Sequence, residues 1–227
     1  MIDTFEHISL LKKSIKTQVK LALSEDIGSG DITGDLIDNN WAQAKIISRE
    51  EGIFCGKPWV EEICKITDQS IETIFHLNDG DLLSTNDIIL ELSGPARELL
   101  QVERTALNFL QLLSGTATST RNYVEVIKGL KTQLLDTRKT IPGLRIAQKY
   151  AVHCGGGKNH RVGLFDAFLL KENHIQKAGG LKKAIQSAML SIPTGTVEVE
   201  VENLEELSEA IDAGAHIILI DNFYKKF

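Results

Sequence analysis

The stretch TVEVEVEN, Thr196 to Asn203, alternates valine and glutamate over six residues before it ends in asparagine. Successive side chains of a strand point to opposite faces, so the pattern places three valines on one face and three glutamates on the other, namely Val197, Val199 and Val201 against Glu198, Glu200 and Glu202. We therefore predict a strand whose valines pack against helices. The glutamates would face a cation, a metal or a polar substrate, since buried carboxylates need partners. An edge strand with a wet face explains this segment equally well.

Outward from this stretch, the second half of the chain alternates between strand-like and helical patterns. Short apolar runs occur at 132–139, 167–173, 196–203 and 216–222. Helical stretches separate them at 143–152, 181–190 and 204–214. This alternation predicts parallel strands, and each run ends in charged residues, which in a β/α barrel marks the face where active sites are built. Strand ends that simply meet solvent would also carry charge.

The first half has a different pattern. An amphipathic helix is predicted from Ile8 to about Ser24. Strand-like runs follow at 42–50, 52–56, 72–77 and 87–94, and a further helix is predicted at 58–66. A long helical stretch, 96–128, is expected to break near Gly115 and to bridge two domains. The predicted organisation is an α+β domain at 1–115 and a β/α domain at 116–227.

The charge distribution is uneven. The chain of 227 residues has a net charge of −6, which argues against nonspecific nucleic-acid binding. From Thr137 to Arg161, however, six cations occur with no acid, so this segment carries +6 and the remainder −12. A solvated basic face is one explanation, and a site for a small, highly anionic ligand is the other.

Membrane and export signals are not visible in the sequence. No apolar run approaches the roughly 18 residues of a membrane span, and the first residues lack a signal-peptide pattern. The three cysteines, Cys55, Cys64 and Cys154, match no metal or disulfide spacing. We therefore expect a cytoplasmic protein with ordinary buried thiols and no membrane partner.

The segment HCGGGKNHR, 153–161, combines histidines, cysteine, glycines and cations. His153, Cys154 and His160 lack a second local cluster that would complete a zinc site. The glycines match neither a P-loop nor a dinucleotide fingerprint. What remains is a flexible loop that would let backbone N–H groups and cations approach phosphate or carboxylate oxygens.

Several of these segments, taken together, resemble the quinolinate phosphoribosyltransferase family. The motifs that carry the resemblance extend from about residue 20 to residue 223 and read FCGKPWVEE, ERTALNFLQLLSGTAT, LLDTRKTIPGLR, KYAVHCGGGKNHRVGLFDAFLLKENH, VEVEVEN and DNF. The resemblance implies an α+β N-terminal sandwich domain and a β/α barrel of the type II phosphoribosyltransferase kind.

The resemblance also implies a reaction. Quinolinate and phosphoribosyl pyrophosphate would react, with Mg²⁺, to nicotinate mononucleotide, pyrophosphate and CO₂, a step of NAD synthesis. Matching positions imply that Arg104, Arg138 and Arg161 bind quinolinate with His160 and Lys171, and that Lys139 helps to hold phosphate. Catalysis would involve Lys139, Lys171, Glu200 and Asp221, the last two also holding ribose hydroxyls or metal.

Two further expectations follow from the resemblance. The arginine of the ERTALN motif, Arg104, would reach into the pocket of a neighbouring subunit, which implies a homodimer or larger assembly. A full barrel has about 250 residues in its commonest form, whereas the segment from Leu130 to Phe227 has 98. We therefore expect an incomplete, C-terminally truncated barrel and a chain that is weakly active or poorly soluble alone.

Three alternatives remain. A related enzyme could transfer phosphoribosyl to another aromatic acid. A catalytically inactive, truncated homologue could bind ligand or partner without turnover. A nucleic-acid-binding module is disfavoured by the net charge.

Overall fold

The computed structural model describes residues 8–191 and 195–223, and within these it contains seven α-helices and eight strands. The helices are α1 (Ile8–Ile27), α2 (Lys57–Thr67), α3 (Ala96–Val126), α4 (Arg145–Cys154), α5 (Glu172–Ala178), α6 (Leu181–Ser191) and α7 (Leu204–Asp212). The strands are β1 (Trp41–Ile47), β2 (Gly52–Ile53), β3 (Glu72–Phe75), β4 (Leu82–Leu83), β5 (Ile88–Pro95), β6 (Phe168–Leu170), β7 (Val197–Val201) and β8 (Ile217–Ile220). The predicted mixture of an α+β part and a β/α part is confirmed.

The chain forms two compact units that divide between His160 and Arg161. Helix α3 runs unbroken through Gly115, so the expected interruption there is wrong. A glycine inside a helix costs about 1 kcal/mol, and burial of the neighbouring Leu113 and Ala117 offsets that cost. The division into 1–115 and 116–227 stays a prediction.

The first unit contains two antiparallel sheets. In the larger one, β5 lies between β1 and β3, and β2 pairs with β4 in the smaller. Exposure alternates along β1, as expected for a strand with one face toward the core. The predicted strands at 42–50, 52–56, 72–77 and 87–94 are therefore confirmed.

Trp59 lies at the centre of the core of this unit. Its side chain is fully buried, and its ring lies 5.3 Å from that of Tyr150 and 6.3 Å from that of Phe109, measured between centroids. The indole N–H donates to Gln18 Oε1 at 2.9 Å, and Gln18 Nε2 donates to the carbonyl of Gly143 at 2.8 Å. One aromatic side chain thus connects α1, α2, α3 and α4.

Asp79 fixes the start of α2. One carboxylate oxygen accepts from the backbone N–H groups of Gly56 and Lys57 at 2.9 and 3.1 Å, and the other accepts from Tyr150 Oη at 2.6 Å. Burial raises the pKa of Asp79 in spite of these hydrogen bonds. The carboxylate therefore satisfies the first N–H groups of the helix from outside it.

The cysteines are free thiols, as expected. Cys55 and Cys64 are buried, and burial raises the pKa of Cys64 to about 11. The thiols of Cys55 and Cys154 and a carboxylate oxygen of Asp79 lie within 4.8 Å of one another. Because both oxygens of Asp79 already accept hydrogen bonds, the fold itself accounts for this cluster.

The three glycines of the 153–161 segment serve packing. A Cβ on Gly155 would lie 2.4 Å from the carbonyl oxygen of Ala117 and 2.6 Å from Thr120 Cβ. Arg121 Nε donates to the Gly155 carbonyl at 3.0 Å. Gly156 has a φ of 94°, which favours glycine. These residues let the end of α4 lie directly against α3.

Replacing Gly155 by alanine should therefore lower the free energy of unfolding by about 1–3 kcal/mol, the cost of overpacking. Gly115→Ala is the matched control, because nothing lies within 4 Å of the added methyl group and the helix should gain up to about 1 kcal/mol. Urea unfolding followed by circular dichroism measures both values. Equal stabilities of the two variants would contradict this assignment.

The second unit contains a parallel sheet in the order β6-β7-β8. The three valines of β7 are fully buried and pack with apolar residues of α6 and α7, such as Ile185 and Ala210. The predicted strand with valines toward the helices is confirmed. The run at 132–139 forms no strand of a sheet and contributes one isolated parallel bridge, Leu135 to Lys158, within the first unit. The predicted strand there is wrong.

None of the helices in the described ranges combines the length and apolar character that a membrane crossing requires.

Candidate active site

Three candidate residues of the second unit lie at one edge of its parallel sheet. Lys171 directly follows β6, Glu200 lies near the end of β7, and Asp221 directly follows β8. Parallel strands direct their carboxyl ends to the same edge, so the fold brings these residues together. The Asp221 N–H donates to the carbonyl of Val201 at 2.9 Å, which extends the pairing of β7 and β8 to this position.

Lys171 and Glu200 form an ion pair between Lys171 Nζ and Glu200 Oε2. The lysine side chain is 47 % exposed and the glutamate 15 %. Asp221 is half-buried and accepts a hydrogen bond from Asn222 Nδ2 at 2.8 Å. Two carboxylates and an ammonium group thus lie along the ends of three neighbouring strands, where they can meet a polyhydroxylated or phosphorylated ligand.

The oxygen donors of Glu200 and Asp221 are those that Mg²⁺ prefers. Both are carboxylates at the ends of neighbouring strands, and Asp221 accepts one hydrogen bond from its neighbour Asn222. The donor chemistry therefore fits a divalent, oxygen-seeking cation.

Arg161 and Glu198 belong to the same unit. Arg161 Nη1 donates to the carbonyl of Ala167 at 3.3 Å, which ties it to the residue before β6. The carboxylate of Asp166 accepts hydrogen bonds from the backbone N–H groups of Val162 and Gly163 at 2.6 and 2.9 Å. These bonds fix the loop that precedes β6. Glu198 is 5 % exposed, on the face of β7 opposite the valines.

In the first unit, Arg138 and Lys139 lie in a loop whose backbone is held at several points. The carbonyl of Arg138 accepts from the N–H of Thr140 at 3.0 Å and from Arg145 Nη2 at 3.4 Å. Arg138 Nε is enclosed and has no hydrogen-bond partner among residues 8–191 and 195–223. Leaving an enclosed guanidinium N–H without an acceptor costs free energy unless a ligand accepts a hydrogen bond from it. The side chain of Lys139 is exposed.

His160 lies beside a buried ion pair that the sequence pattern did not indicate. Lys149 Nζ pairs with Asp136 Oδ1, and the side chains are 1 % and 7 % exposed. Asp136 also accepts from the His160 N–H at 2.8 Å and from Asn159 Nδ2 at 2.6 Å. Lys149 Nζ donates in addition to the His160 carbonyl at 2.8 Å.

This pair corrects the interpretation of the basic segment 137–161. Lys149 contributes to the +6 of that segment but is buried and neutralised by Asp136, one residue before the segment begins. Arg145 is engaged with Thr140 Oγ1 at 3.3 Å. Fewer cations of this segment can therefore face an anionic ligand than its charge of +6 indicates. Among those in the first unit, Arg138, Lys139 and Lys158 are still candidates.

Arg104 lies on α3 and is exposed. A cavity of about 290 Å³ lies near this part of the helix, between α1, α3 and the 142–144 loop. It is lined largely by apolar side chains and by Glu25 and Asp26, so it does not contain the candidate cations.

The comparisons with known proteins agree with this fold. Residues 31–114 match the N-terminal domain of quinolinate phosphoribosyl transferase, and residues 116–226 match its C-terminal domain. The chain therefore belongs to the quinolinate phosphoribosyltransferase family. A probable nicotinate-nucleotide pyrophosphorylase (carboxylating) of Bacillus subtilis is 45% identical over 203 residues, which cover 87% of this chain and 69% of the relative.

Further relatives are similar in sequence and in structure. The nicotinate-nucleotide pyrophosphorylase (carboxylating) of Mycobacterium leprae is 36% identical, with 90% of this chain and 74% of the relative covered. The solved structure of the Francisella tularensis nicotinate-nucleotide pyrophosphorylase superposes with a TM-score of 0.91 at 49% identity, and the match covers 94% of this chain and 76% of that chain.

Proposed function

We propose that this chain transfers phosphoribosyl from phosphoribosyl pyrophosphate to quinolinate with loss of CO₂, giving nicotinate mononucleotide and pyrophosphate in NAD biosynthesis. The observation that carries the proposal is the row of Lys171, Glu200 and Asp221 along the ends of neighbouring parallel strands. It is a site for a charged, hydroxyl-bearing substrate in a chain that belongs to this family. Family and site therefore support the same chemistry.

We assign the binding of quinolinate to positively charged side chains that contact its two carboxylates. The planar carboxylates of this pyridine dicarboxylate suit the bidentate guanidinium groups of Arg104, Arg138 and Arg161. The enclosed Nε of Arg138 supports this assignment for that residue. His160 and Lys171 complete the substrate contacts, and Lys139 holds phosphate oxygens.

In the chemical step, the pyridine nitrogen of quinolinate attacks C1 of the ribose as the bond to pyrophosphate breaks. The transition state has oxocarbenium character, and the carboxylates of Glu200 and Asp221 stabilise its developing positive charge and hold the ribose hydroxyls. When bound at these two residues, Mg²⁺ would offset the negative charge of the pyrophosphate. Lys171 holds Glu200 in place through their ion pair.

Decarboxylation follows from the new bond. The ring nitrogen becomes cationic, so the electron pair of the bond between C2 and its carboxylate can remain on C2 as CO₂ leaves. A proton then adds to C2 and completes nicotinate mononucleotide. Cations around the carboxylates bind quinolinate in the orientation that this sequence of steps requires.

We further propose a homodimer or larger homo-oligomer in the cytoplasm. Exposed Arg104 on α3 supports the oligomer, because an exposed arginine can reach the pocket of a neighbouring subunit. The free, largely buried thiols support a reducing compartment. Neither a nucleic acid nor a membrane is part of the proposal.

A related transferase that acts on another aromatic acid is the second candidate. It would need the strand-end carboxylates but not three arginines for a dicarboxylate. An inactive homologue that binds without turnover is favoured by no observation on the described residues.

The proposal is tested by mixing the purified chain with quinolinate, phosphoribosyl pyrophosphate and Mg²⁺ and by following nicotinate mononucleotide by chromatography. We expect product that depends on all three components. Turnover of nicotinate or another aromatic acid in preference to quinolinate would contradict the proposed substrate.

Replacing Glu200 by glutamine should lower kcat about 10²–10³-fold, the usual effect of removing one electrostatic contact to a transition state. The variant keeps the size of the side chain but loses the charge and the ion pair with Lys171. Glu202→Gln is the matched control, since Glu202 is exposed just beyond β7. Equal kcat values for the two variants would contradict the role of Glu200.

A further inference from the structure

A buried polar network joins two segments that carry candidate substrate contacts. Its centre is the ion pair between Asp136 and Lys149, which is almost fully enclosed. Asn159 Nδ2 donates both to Asp136 Oδ2 at 2.6 Å and to the carbonyl of Lys149 at 2.8 Å. All three side chains belong to the first unit.

The network holds the backbone of His160 from both sides. The His160 N–H donates to Asp136 Oδ1 at 2.8 Å, and its carbonyl accepts from Lys149 Nζ at 2.8 Å. Backbone bonds between the same two segments add to this contact, from Lys158 to Leu134 at 2.8 Å and from Asp136 to Lys158 at 3.1 Å. Arg138 and Lys139 follow Asp136 two and three positions later in the chain.

A buried ion pair is a weak source of stability, because desolvation of both charges offsets their attraction. An apolar pair would fill the same space but could not hold an N–H and a carbonyl of one residue at the same time. The specific property of this network is therefore geometric. It fixes the loop of Arg138 and Lys139 against the segment of His160.

We propose that Lys149 is a positioning residue for the transferase reaction, and that the Asp136–Lys149–Asn159 network sets the spacing between His160 and the Arg138–Lys139 loop. This inference rests on the proposed function, since the substrate contacts it positions are those assigned there. Lys149 itself contacts no substrate. It acts through the backbone of His160.

The first test is independent of activity. Hydrogen exchange, measured by mass spectrometry on peptides that cover 136–141 and 158–162, is compared between the unaltered chain and Lys149→Met. We expect exchange in both segments to accelerate about tenfold or more. Without Lys149 the network no longer holds the two segments together, so they open locally more often. Tyr150→Phe is the matched control, since it removes the hydrogen bond to Asp79 from the same helix and should leave these segments protected.

The second test is kinetic. In Lys149→Met, kcat/KM for quinolinate should fall about 100-fold, the effect expected from misplacing substrate contacts by about 1 Å. Tyr150→Phe should lower the melting temperature while its kcat and KM stay unchanged. If Lys149→Met does not fold, Asn159→Ala, which keeps the ion pair, should show the same changes to a smaller extent.

Unchanged exchange in both segments would overturn the inference, and so would accelerated exchange with unaltered kinetic constants. A lower melting temperature alone would show a purely structural pair and would also overturn it. If the unaltered chain shows no turnover of quinolinate, the proposed function fails, whereas the exchange measurement still decides whether the network fixes the two segments.

Discussion

Arg138→Ala should lower kcat/KM for quinolinate about 100- to 1,000-fold, because truncating one partner of a desolvated charge pair costs about 3–4 kcal/mol. The enclosed Nε of Arg138 lacks a hydrogen-bond partner in the described part of the chain, so a bound carboxylate would supply the missing acceptor. Steady-state kinetics with varied quinolinate measure the effect.

Two controls make this result specific. Arg138→Lys keeps the charge but loses the planar fork, so it should restore only part of the activity. Arg49→Ala removes an exposed arginine near the turn between β1 and β2 and should leave kcat/KM unchanged. An Arg138→Ala variant as active as Arg49→Ala would contradict the proposed contact.

Trp59→Ala should lower the free energy of unfolding by about 3–5 kcal/mol, the range for removing a buried aromatic side chain. The indole is fully buried against Phe109 and Tyr150, and the change also removes the N–H group that donates to Gln18 Oε1. A loss of this size is a large part of the roughly 5–15 kcal/mol by which proteins are stable. Urea unfolding followed by circular dichroism measures it.

Trp41→Ala is the matched control, because that tryptophan is 58% exposed at the start of β1. Its replacement should change stability much less. Similar losses for both variants would show that Trp59 does not hold the four helices together as described.

Much of the fold could be predicted from the sequence because the patterns are strong and local. The alternation of valine and glutamate predicts β7 and the face that packs against α6. The predicted strand at 132–139 failed for a physical reason. The segment is short, and its backbone is held by loop contacts to Lys158 rather than by a neighbouring strand of a sheet.

The site could be predicted in part. The order of strands brings Lys171, Glu200 and Asp221 to one edge, which parallel strands require. The burial of Lys149 could not be predicted, since its partner Asp136 is 13 residues away and lies outside the basic segment. A count of charges does not distinguish a cation that faces a ligand from one enclosed with a carboxylate.

The function of the glycines in 153–161 also depends on long-range contacts. The sequence predicts flexibility, whereas the structure places Gly155 against Ala117 of α3, 38 positions earlier in the chain. A close approach of two helices is invisible to local pattern, because it depends on which surfaces meet. The three glycines therefore allow the end of α4 to pack against α3, and His160 follows them three residues later in the chain.

Quinolinate labelled with ¹⁴C in its 2-carboxylate tests the proposed transfer and decarboxylation in one reaction. The chain is incubated with this substrate, phosphoribosyl pyrophosphate and Mg²⁺. The amounts of labelled CO₂ and of pyrophosphate released are measured in the same reaction. We expect one labelled CO₂ for each pyrophosphate, with unlabelled nicotinate mononucleotide as the product. Pyrophosphate release without labelled CO₂, or label retained in the nucleotide, would contradict the proposed reaction.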